Sequence, residues 1–180
     1  ATPELIISVG FAGSLSPQLK TGDIVVANRL LFLHERLFSE QQGATGKEAT
    51  NFKENHLKLA TFVTTYRIAA KKQLAAQLPA GTDQAVVEME SSAVARVCRK
   101  GNIPFVAVRA ISDGFEEELG FSMDELCDQD LNLKKRRVLL TVARKPWIIP
   151  QLMRLSVNSR NAGQNLAKTL CRIIPTLHAG

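Results

Sequence analysis

The chain has 180 residues, 45% of them hydrophobic, and a formal net charge of +6. This length and apolar content predict one domain with a sizeable core, and the apolar runs are too short to predict a membrane span. The first residues lack the basic region and long apolar run of a signal peptide. Three widely spaced cysteines (Cys98, Cys127 and Cys171) without metal-ligand spacing predict reduced thiols, no metal site and a cytoplasmic location.

The basic character lies in the C-terminal part of the chain. Residues 128–180 contain ten Lys/Arg and two Asp, a net +8, whereas residues 1–127 contain 13 basic and 15 acidic residues, a net −2. A solvated helix face explains such a distribution, and an anionic partner is the alternative. One short run favours a weak contact with an anionic membrane surface, because it places apolar side chains beside basic ones. Its residues are Arg144, Lys145, Trp147, Ile148 and Ile149. No motif predicts nucleic-acid binding.

The first half of the chain predicts strands joined by turns. The run ELIISVG predicts a buried strand, and GFAGSL predicts a Gly-x-x-Gly turn at which the backbone can approach a ligand closely. LKTGDIVVAN predicts a Thr-Gly-Asp turn and a short strand, residues 30–38 a strand or half-buried loop, and residues 39–51 a loop. Residues 56–68 alternate and are β-branched, which predicts a strand. AAKKQLAAQL predicts a short helix.

Residues 85–121 predict a strand, a helix and a second strand with carboxylates at the strand ends. The first strand leads into Glu88, Met89 and Glu90, and strand alternation points both glutamates to one side. The second strand, PFVAVRAI, ends near Asp113. A connection of this length predicts a βαβ unit with parallel strands, and in open α/β sheets ligands bind beyond the carboxyl ends of the strands. We therefore expect Glu90 and Asp113 at one ligand-binding edge.

The C-terminal part predicts helices. A capping box at 122–125 predicts a helix start, and residues 131–143 are also predicted to be helical. Pro146 interrupts this run, and residues 149–177 then predict a long helix with one apolar face. Strands followed by helices predict an α/β fold, with the basic C-terminal helix (146–177) packed on the rest of the domain.

The run VVEMESSAVARVCRKGNIPFVAVRAISD resembles the nucleoside phosphorylase/nucleosidase superfamily, which includes hexameric purine nucleoside phosphorylases and methylthioadenosine/S-adenosylhomocysteine nucleosidases. ISVGFAGSL and LKTGDIVV resemble, in order, the glycine turn and next strand of that family. The tail KPWIIPQLMRLSVNSRNAGQNLAKTL is similar to hopanoid-associated phosphorylases. The resemblance implies a single domain (1–180) with a three-layer α/β/α fold and a central mixed, mostly parallel sheet that lacks the family's first strands.

The resemblance also implies roles for four residues in cleaving a purine nucleoside. Glu90 would accept hydrogen bonds from the ribose 2′ and 3′ hydroxyls, and Met89 would pack under the sugar. Asp113 would be the general acid at purine N7, oriented by Ser112. Cleavage puts negative charge on the leaving base, which a carboxylic acid at N7 neutralises. We expect the apolar strand and nearby glutamates to keep that acid protonated.

Several of these residues also have a structural interpretation. Glu90 could be a helix N-cap or first-turn residue, and Asp113 could form an Asx-turn. Met89 could be a core residue. The resemblance places Glu88 among the substrate-binding residues, and a structural partnership, for instance with Arg109, explains it better than a catalytic role. The resemblance places four more residues at the substrate pocket, although core or surface positions explain its aromatic members equally well: Phe11, Ala12, Gly13 and Tyr66.

Two departures from the family leave the reaction open. The family normally has strands before the glycine turn that carry the residue handling the nucleophile, so we expect this chain to be N-terminally incomplete. Hexameric phosphorylases have an arginine and a serine where this chain has Ser8 and Phe11, so a phosphate dianion would lack a charged partner. That favours hydrolysis, or phosphate held by groups that are not in this chain, whereas the tail favours phosphorolysis with inorganic phosphate as co-substrate.

Two functions therefore remain. One is cleavage of a purine nucleoside by a cytoplasmic homo-oligomer, a dimer or hexamer in this family, with no cofactor. The other is nucleoside binding or regulation on the same fold without catalysis.

Overall fold

A computed structural model of the chain describes residues 3–34, 37–40, 57–66, 70–117 and 144–177. The helices predicted within 122–143 lie outside these ranges. A 3₁₀ turn, Pro146–Ile148, precedes the last helix. The described strands and α-helices are β1 (Ile6–Ser14), β2 (Ile24–His34), β3 (Leu37–Glu40), β4 (Lys58–Thr64), α1 (Lys71–Ala76), β5 (Ala85–Glu88), α2 (Ser91–Lys100), β6 (Phe105–Asp113) and α3 (Ile149–Leu177).

The described strands form one mixed sheet in the order β3-β2-β4-β5-β1-β6. Strand β2 also pairs with β6, so five strands close into a barrel and β3 extends from it. The pairs β1–β6, β2–β4 and β4–β5 are parallel, and the remaining pairs are antiparallel. The expected α/β fold with a mixed sheet is confirmed.

The expected βαβ unit with parallel strands is wrong. Strand β1 lies between β5 and β6, parallel to β6 and antiparallel to β5, so β5 and β6 run in opposite directions. The connection through α2 is long enough to pass β1 and reverse direction, and residue periodicity does not reveal which strand lies between two others. The two strand ends nevertheless meet, because Gly13 pairs with Val87 on one side and with Asp113 on the other.

The expected Gly-x-x-Gly turn is also wrong, because Gly10 and Gly13 both lie inside β1. Strand β2 is longer than expected and extends to His34. It thus enters residues 30–38, for which the sequence allowed either a strand or a half-buried loop. The Thr-Gly-Asp turn is confirmed: Gly22 has φ +89°, a left-handed conformation that glycine adopts without strain.

Three apolar clusters hold the helices on the sheet. The barrel interior packs against α2, with Phe62, Ala95 and Ile111 among its members. The outer face of β6 packs against α3 through Val108 and Leu166, and α1 contributes Leu74 to a third cluster. Strand β6 is apolar on both faces because one faces the barrel interior and the other faces α3. Within the described ranges, no helix has the length and apolarity needed to cross a bilayer.

Candidate active site

The candidate site is built around Gly13, because this residue leaves room for the Asp113 carboxylate. A Cβ atom on Gly13 would lie 2.8 Å from Asp113 Oδ2 and 3.3 Å from Val87 Cγ1. The register of β1 shifts between Ala12 and Gly13, where Gly13 pairs with Asp113 and Ser112 is skipped. This bulge ends the regular ladder and aims Asp113 towards β5, as bulges beside functional sites often do.

Asp113 is held by two side chains and is only 17% exposed. Lys71 Nζ donates to Oδ2 at 2.7 Å, and Ser112 Oγ lies 2.7 Å from Oδ1. Lys71 is the first residue of α1, is 7% exposed, and also donates to the carbonyl oxygen of Gly114. The sequence led us to expect nearby glutamates as the charged neighbours of Asp113, whereas the structure places the Lys71 ammonium group beside it. No local pattern in the sequence singled out Lys71 as a partner of Asp113.

Glu88 and Arg109 form a buried ion pair, as expected from the sequence. Arg109 Nη2 lies 2.9 Å from Glu88 Oε2, and the two side chains are 2% and 0% exposed. Glu88 also accepts hydrogen bonds from the backbone N–H groups of Glu90 and Ser91 and from the Thr64 hydroxyl. Glu88 therefore caps the start of α2 from inside the protein and fixes the strand end that carries Glu90.

Glu90 occupies the N-cap position of α2, but its side chain makes no capping hydrogen bond. The side chain is 67% exposed, and its Oε2 lies 3.8 Å from Arg109 Nη2. Partial desolvation raises the pKa of Glu90, the negative charge of Glu88 adds to the rise, and Arg109 opposes it. A carboxylate at this position faces solvent while anchored beside a fixed guanidinium, so it can accept hydrogen bonds from a ligand.

The two carboxylates lie near different points along β1. Arg109, which contacts Glu90, is paired with Gly10, and Asp113 is paired with Gly13. Three residues of a strand span roughly 10 Å, a distance comparable to the length of one nucleoside. Glu90 thus lies beside Arg109 at one end of this stretch of β1, and Asp113 lies at its other end.

The other sequence-derived site residues are less closely grouped. Met89 is half-buried beside Glu90. Ala12 is buried in the barrel core, and its carbonyl oxygen lies 3.4 Å from Ser112 Oγ. Phe11 is 46% exposed on the opposite face of β1, with its ring against Gly163 of α3. Tyr66 follows β4, is 66% exposed, and packs edge-on against Phe32 of β2 at 4.9 Å. The contacts of Phe11 and Tyr66 thus join them to α3 and β2.

Substituting alanine for Gly13 (Gly13→Ala) tests this geometry. The new methyl group must displace the Asp113 carboxylate, so we expect kcat/KM for ligand turnover to fall by at least about tenfold. Gly10→Ala is the matched control, because its Cβ would meet Arg109 Nε at an ordinary 3.6 Å. Equal activities of the two variants would contradict a reactive role for the Asp113 position.

Comparisons with known proteins agree with this fold. A sequence model of the family described as the phosphorylase superfamily matches residues 1–144. Native futalosine hydrolase of Helicobacter pylori strain 26695 superimposes with a TM-score of 0.62 at 19% identity, over 96% of this chain and 68% of that one. A mutant of the same enzyme gives a TM-score of 0.53 at 24% identity, over 65% of this chain and 60% of that one.

The nucleosidase MTAN of Helicobacter pylori gives a TM-score of 0.51 at 26% identity, over 61% of this chain and 58% of that one. The chain thus covers about three-fifths of the length of the futalosine hydrolase mutant and of MTAN.

Proposed function

Because the chain belongs to the phosphorylase superfamily, we propose that it cleaves the N-glycosidic bond of a purine nucleoside, with Asp113 at the base and Glu90 at the ribose. The observation that carries this proposal is that Asp113 lies beside Gly13 of β1, while Glu90 lies beside Arg109, whose side chain is next to Gly10 of the same strand. The similarity to a futalosine hydrolase and to a nucleosidase supports the same class of bond cleavage.

On the base side, we treat Lys71 and Asp113 as one acid. A carboxylate can only accept hydrogen bonds, so Asp113 must gain a proton before it can give one away. Lys71 Nζ is 2.7 Å from Oδ2 and can supply that proton. As the bond from C1′ to the base nitrogen breaks, its electron pair moves to the base. The proton passes from Lys71 through Asp113 to purine N7, and the lysine is reprotonated from solvent afterwards. Ser112 orients Asp113 through Oδ1.

On the sugar side, Glu90 accepts hydrogen bonds from the ribose hydroxyls. These bonds strengthen as the sugar gains positive oxocarbenium character, so they stabilise the transition state more than the bound substrate. Met89 packs under the ring, and the Glu88–Arg109 pair keeps the start of α2 in place. Gly13 and Tyr66 are proposed to border the same ligand, whereas Ala12 lies in the barrel core and Phe11 lies against α3 on the opposite face of β1.

We propose that water attacks C1′ of the sugar and releases one proton to solvent as the new C–O bond forms. Arg109 reaches the Ser8 hydroxyl at 3.2 Å, which brings a guanidinium to the place where hexameric phosphorylases have an arginine. Its charge is already compensated by buried Glu88, so it is a poor partner for a phosphate dianion. The solved structures named above are a hydrolase and a nucleosidase, which also supports hydrolysis. The alternative nucleophile is inorganic phosphate.

An assay of base release settles the class and the reaction together. The chain is incubated with adenosine, inosine, methylthioadenosine or adenosylhomocysteine, with and without phosphate. We expect free base in the absence of phosphate. Release that requires phosphate identifies a phosphorylase. Ligand-induced thermal stabilisation without release from any substrate supports the non-catalytic binding function, and the absence of both effects rejects the proposal. Size-exclusion chromatography checks the expected dimer or hexamer.

The pH dependence of kcat/KM tests the role of Glu90. Since its folded-state pKa is raised, Glu90 stays protonated to a higher pH than an ordinary glutamate, and only the carboxylate accepts from both ribose hydroxyls. Activity should therefore rise with pH on an acid limb that lies at higher pH than an unshifted glutamate would give. Glu90→Gln should remove this limb and lower kcat/KM. An unchanged acid limb in Glu90→Gln would assign that limb to another group.

A further inference from the structure

Four large apolar side chains point to solvent at the start of α3 and in the turn before it. Trp147 is 64% exposed, Ile149 41%, Met153 66% and Val157 58%. The last three are spaced by four residues, so they lie along one side of the helix. We call this surface the α3 patch. Exposed apolar groups in such a cluster are typical of a binding surface.

The opposite side of the same segment is buried against the sheet. Ile148 is fully buried, and Ala162, Leu166 and Ile173 pack on the outer face of β2 and β6. The sequence-based grouping of Ile148 with its exposed neighbours is therefore wrong, because the 3₁₀ turn directs this side chain inward. The α3 patch is thus additional to the core-facing stripe that holds the helix in place.

The charged side chains in the segment of the chain that carries the α3 patch are all positive. Residues 144–177 contain six basic residues and no acidic residue. They are Arg144, Lys145, Arg154, Arg160, Lys168 and Arg172. Arg154 lies 3.8 Å from Glu117, yet its side chain remains 56% exposed. A basic helix with exposed tryptophan and aliphatic side chains has the composition of an interfacial membrane helix.

We propose that the α3 patch docks on an anionic lipid surface. Apolar side chains would enter the boundary between headgroups and acyl chains, while the basic side chains would meet lipid phosphates. A symmetric contact between two copies of this face is disfavoured, since it would bring two positive surfaces together. Nucleic acid is disfavoured because three of the four apolar side chains are aliphatic, whereas nucleic-acid interfaces are polar or use aromatic stacking.

Docking would bring the candidate site close to the lipid surface. Asn158 and Arg154 of α3 contact Glu117, four residues after Asp113. The start of α3 therefore lies at the Asp113 end of the sheet. The α3 patch follows the residues that match the family, 1–144, so its function can be tested separately from the proposed catalysis.

The single tryptophan of the chain makes the test direct. The protein is mixed with phosphatidylcholine vesicles or with vesicles that also contain phosphatidylglycerol, at low and high salt. We expect cosedimentation and a blue shift of Trp147 emission with the anionic vesicles alone, weakened by salt. Equal behaviour with both vesicle types, or no binding to either, would overturn the proposal. Self-association that requires the patch, without vesicle binding, would overturn it in favour of a second copy.

Matched variants locate the binding surface. Arg160→Gln should lower the vesicle partition coefficient about fivefold. Met153→Ser should also lower this coefficient, and its effect should be larger than that of Arg160→Gln at high salt, where apolar insertion dominates. The controls are Arg96→Gln on α2 and Leu37→Ser on β3, which remove an exposed charge and a 75% exposed apolar side chain elsewhere. Losses of the same size in the controls would refute docking through α3. Base release measured without vesicles reports separately on the proposed catalysis.

Discussion

Replacing Asp113 with asparagine (Asp113→Asn) is expected to lower kcat/KM for nucleoside cleavage by about 10²–10⁴-fold. Asparagine has nearly the same shape and can still accept from Ser112, but it cannot pass a proton to the leaving base. The purine would then leave as an anion without an acid, which raises the barrier of the bond-breaking step. The measurement is single-turnover base release, which isolates chemistry from product dissociation.

This substitution also leaves the buried Lys71 ammonium without its charged partner, so folding must be checked alongside activity. Lys71→Met is the companion variant, since it removes the proton source while leaving the Asp113 carboxylate. If Lys71 and Asp113 act as one acid, both variants lose activity, and the double variant loses little more than either one. Nearly full activity of Asp113→Asn, with an unchanged melting temperature, would remove Asp113 from the reaction.

Replacing Arg109 with methionine (Arg109→Met) is expected to destabilise the protein by about 3–5 kcal/mol. The loss leaves Glu88 fully buried without a counter-charge. It also removes the hydrogen bonds from the guanidinium to the Ser8 carbonyl oxygen and to the Ser91 hydroxyl. Urea unfolding followed by circular dichroism measures the free energy of unfolding.

The double variant Glu88→Gln with Arg109→Met is the matched control. It removes both charges, and glutamine keeps one oxygen that can accept from the start of α2. We expect it to be more stable than Arg109→Met alone, because an unpaired buried charge costs more than a neutral pair. A loss in Arg109→Met below about 1 kcal/mol, a value typical of exposed pairs, would show that Glu88 is solvated or protonated in the folded protein.

Helices and strands of this fold could be predicted from local sequence patterns. The apolar stripe of α3 predicted its bounds, 149–177, and the near-continuous apolar run of β6 predicted a strand buried on both faces. Such patterns are readable because 3.6-residue and two-residue periods reflect contacts made within each element. The strand order was not accessible, because the directions of β5 and β6 depend on β1 lying between them.

Part of the candidate site was likewise predictable from the sequence, and part was not. Glu90, Asp113 and the Glu88–Arg109 pair were chosen from their positions at strand ends and from the family resemblance. The sequence did not distinguish the exposed side chains of residues 147–149 from the buried one, because the 3₁₀ turn determines which of them points inward. Likewise, Gly10 and Gly13 suggested a turn, whereas both lie inside a strand, where Gly13 leaves space for the Asp113 carboxylate.

By itself the sequence determined the kind of protein this is: an α/β domain with carboxylates at the ends of two strands and a basic amphipathic helix at its end. Only the tertiary structure decided what each carboxylate touches. Lys71 and Asp113 are 42 residues apart, and their contact exists because α1 packs beside the end of β6. A side chain's charge partner depends on long-range packing, which no local period encodes, so the pairing of Lys71 with Asp113 became visible only in the folded chain.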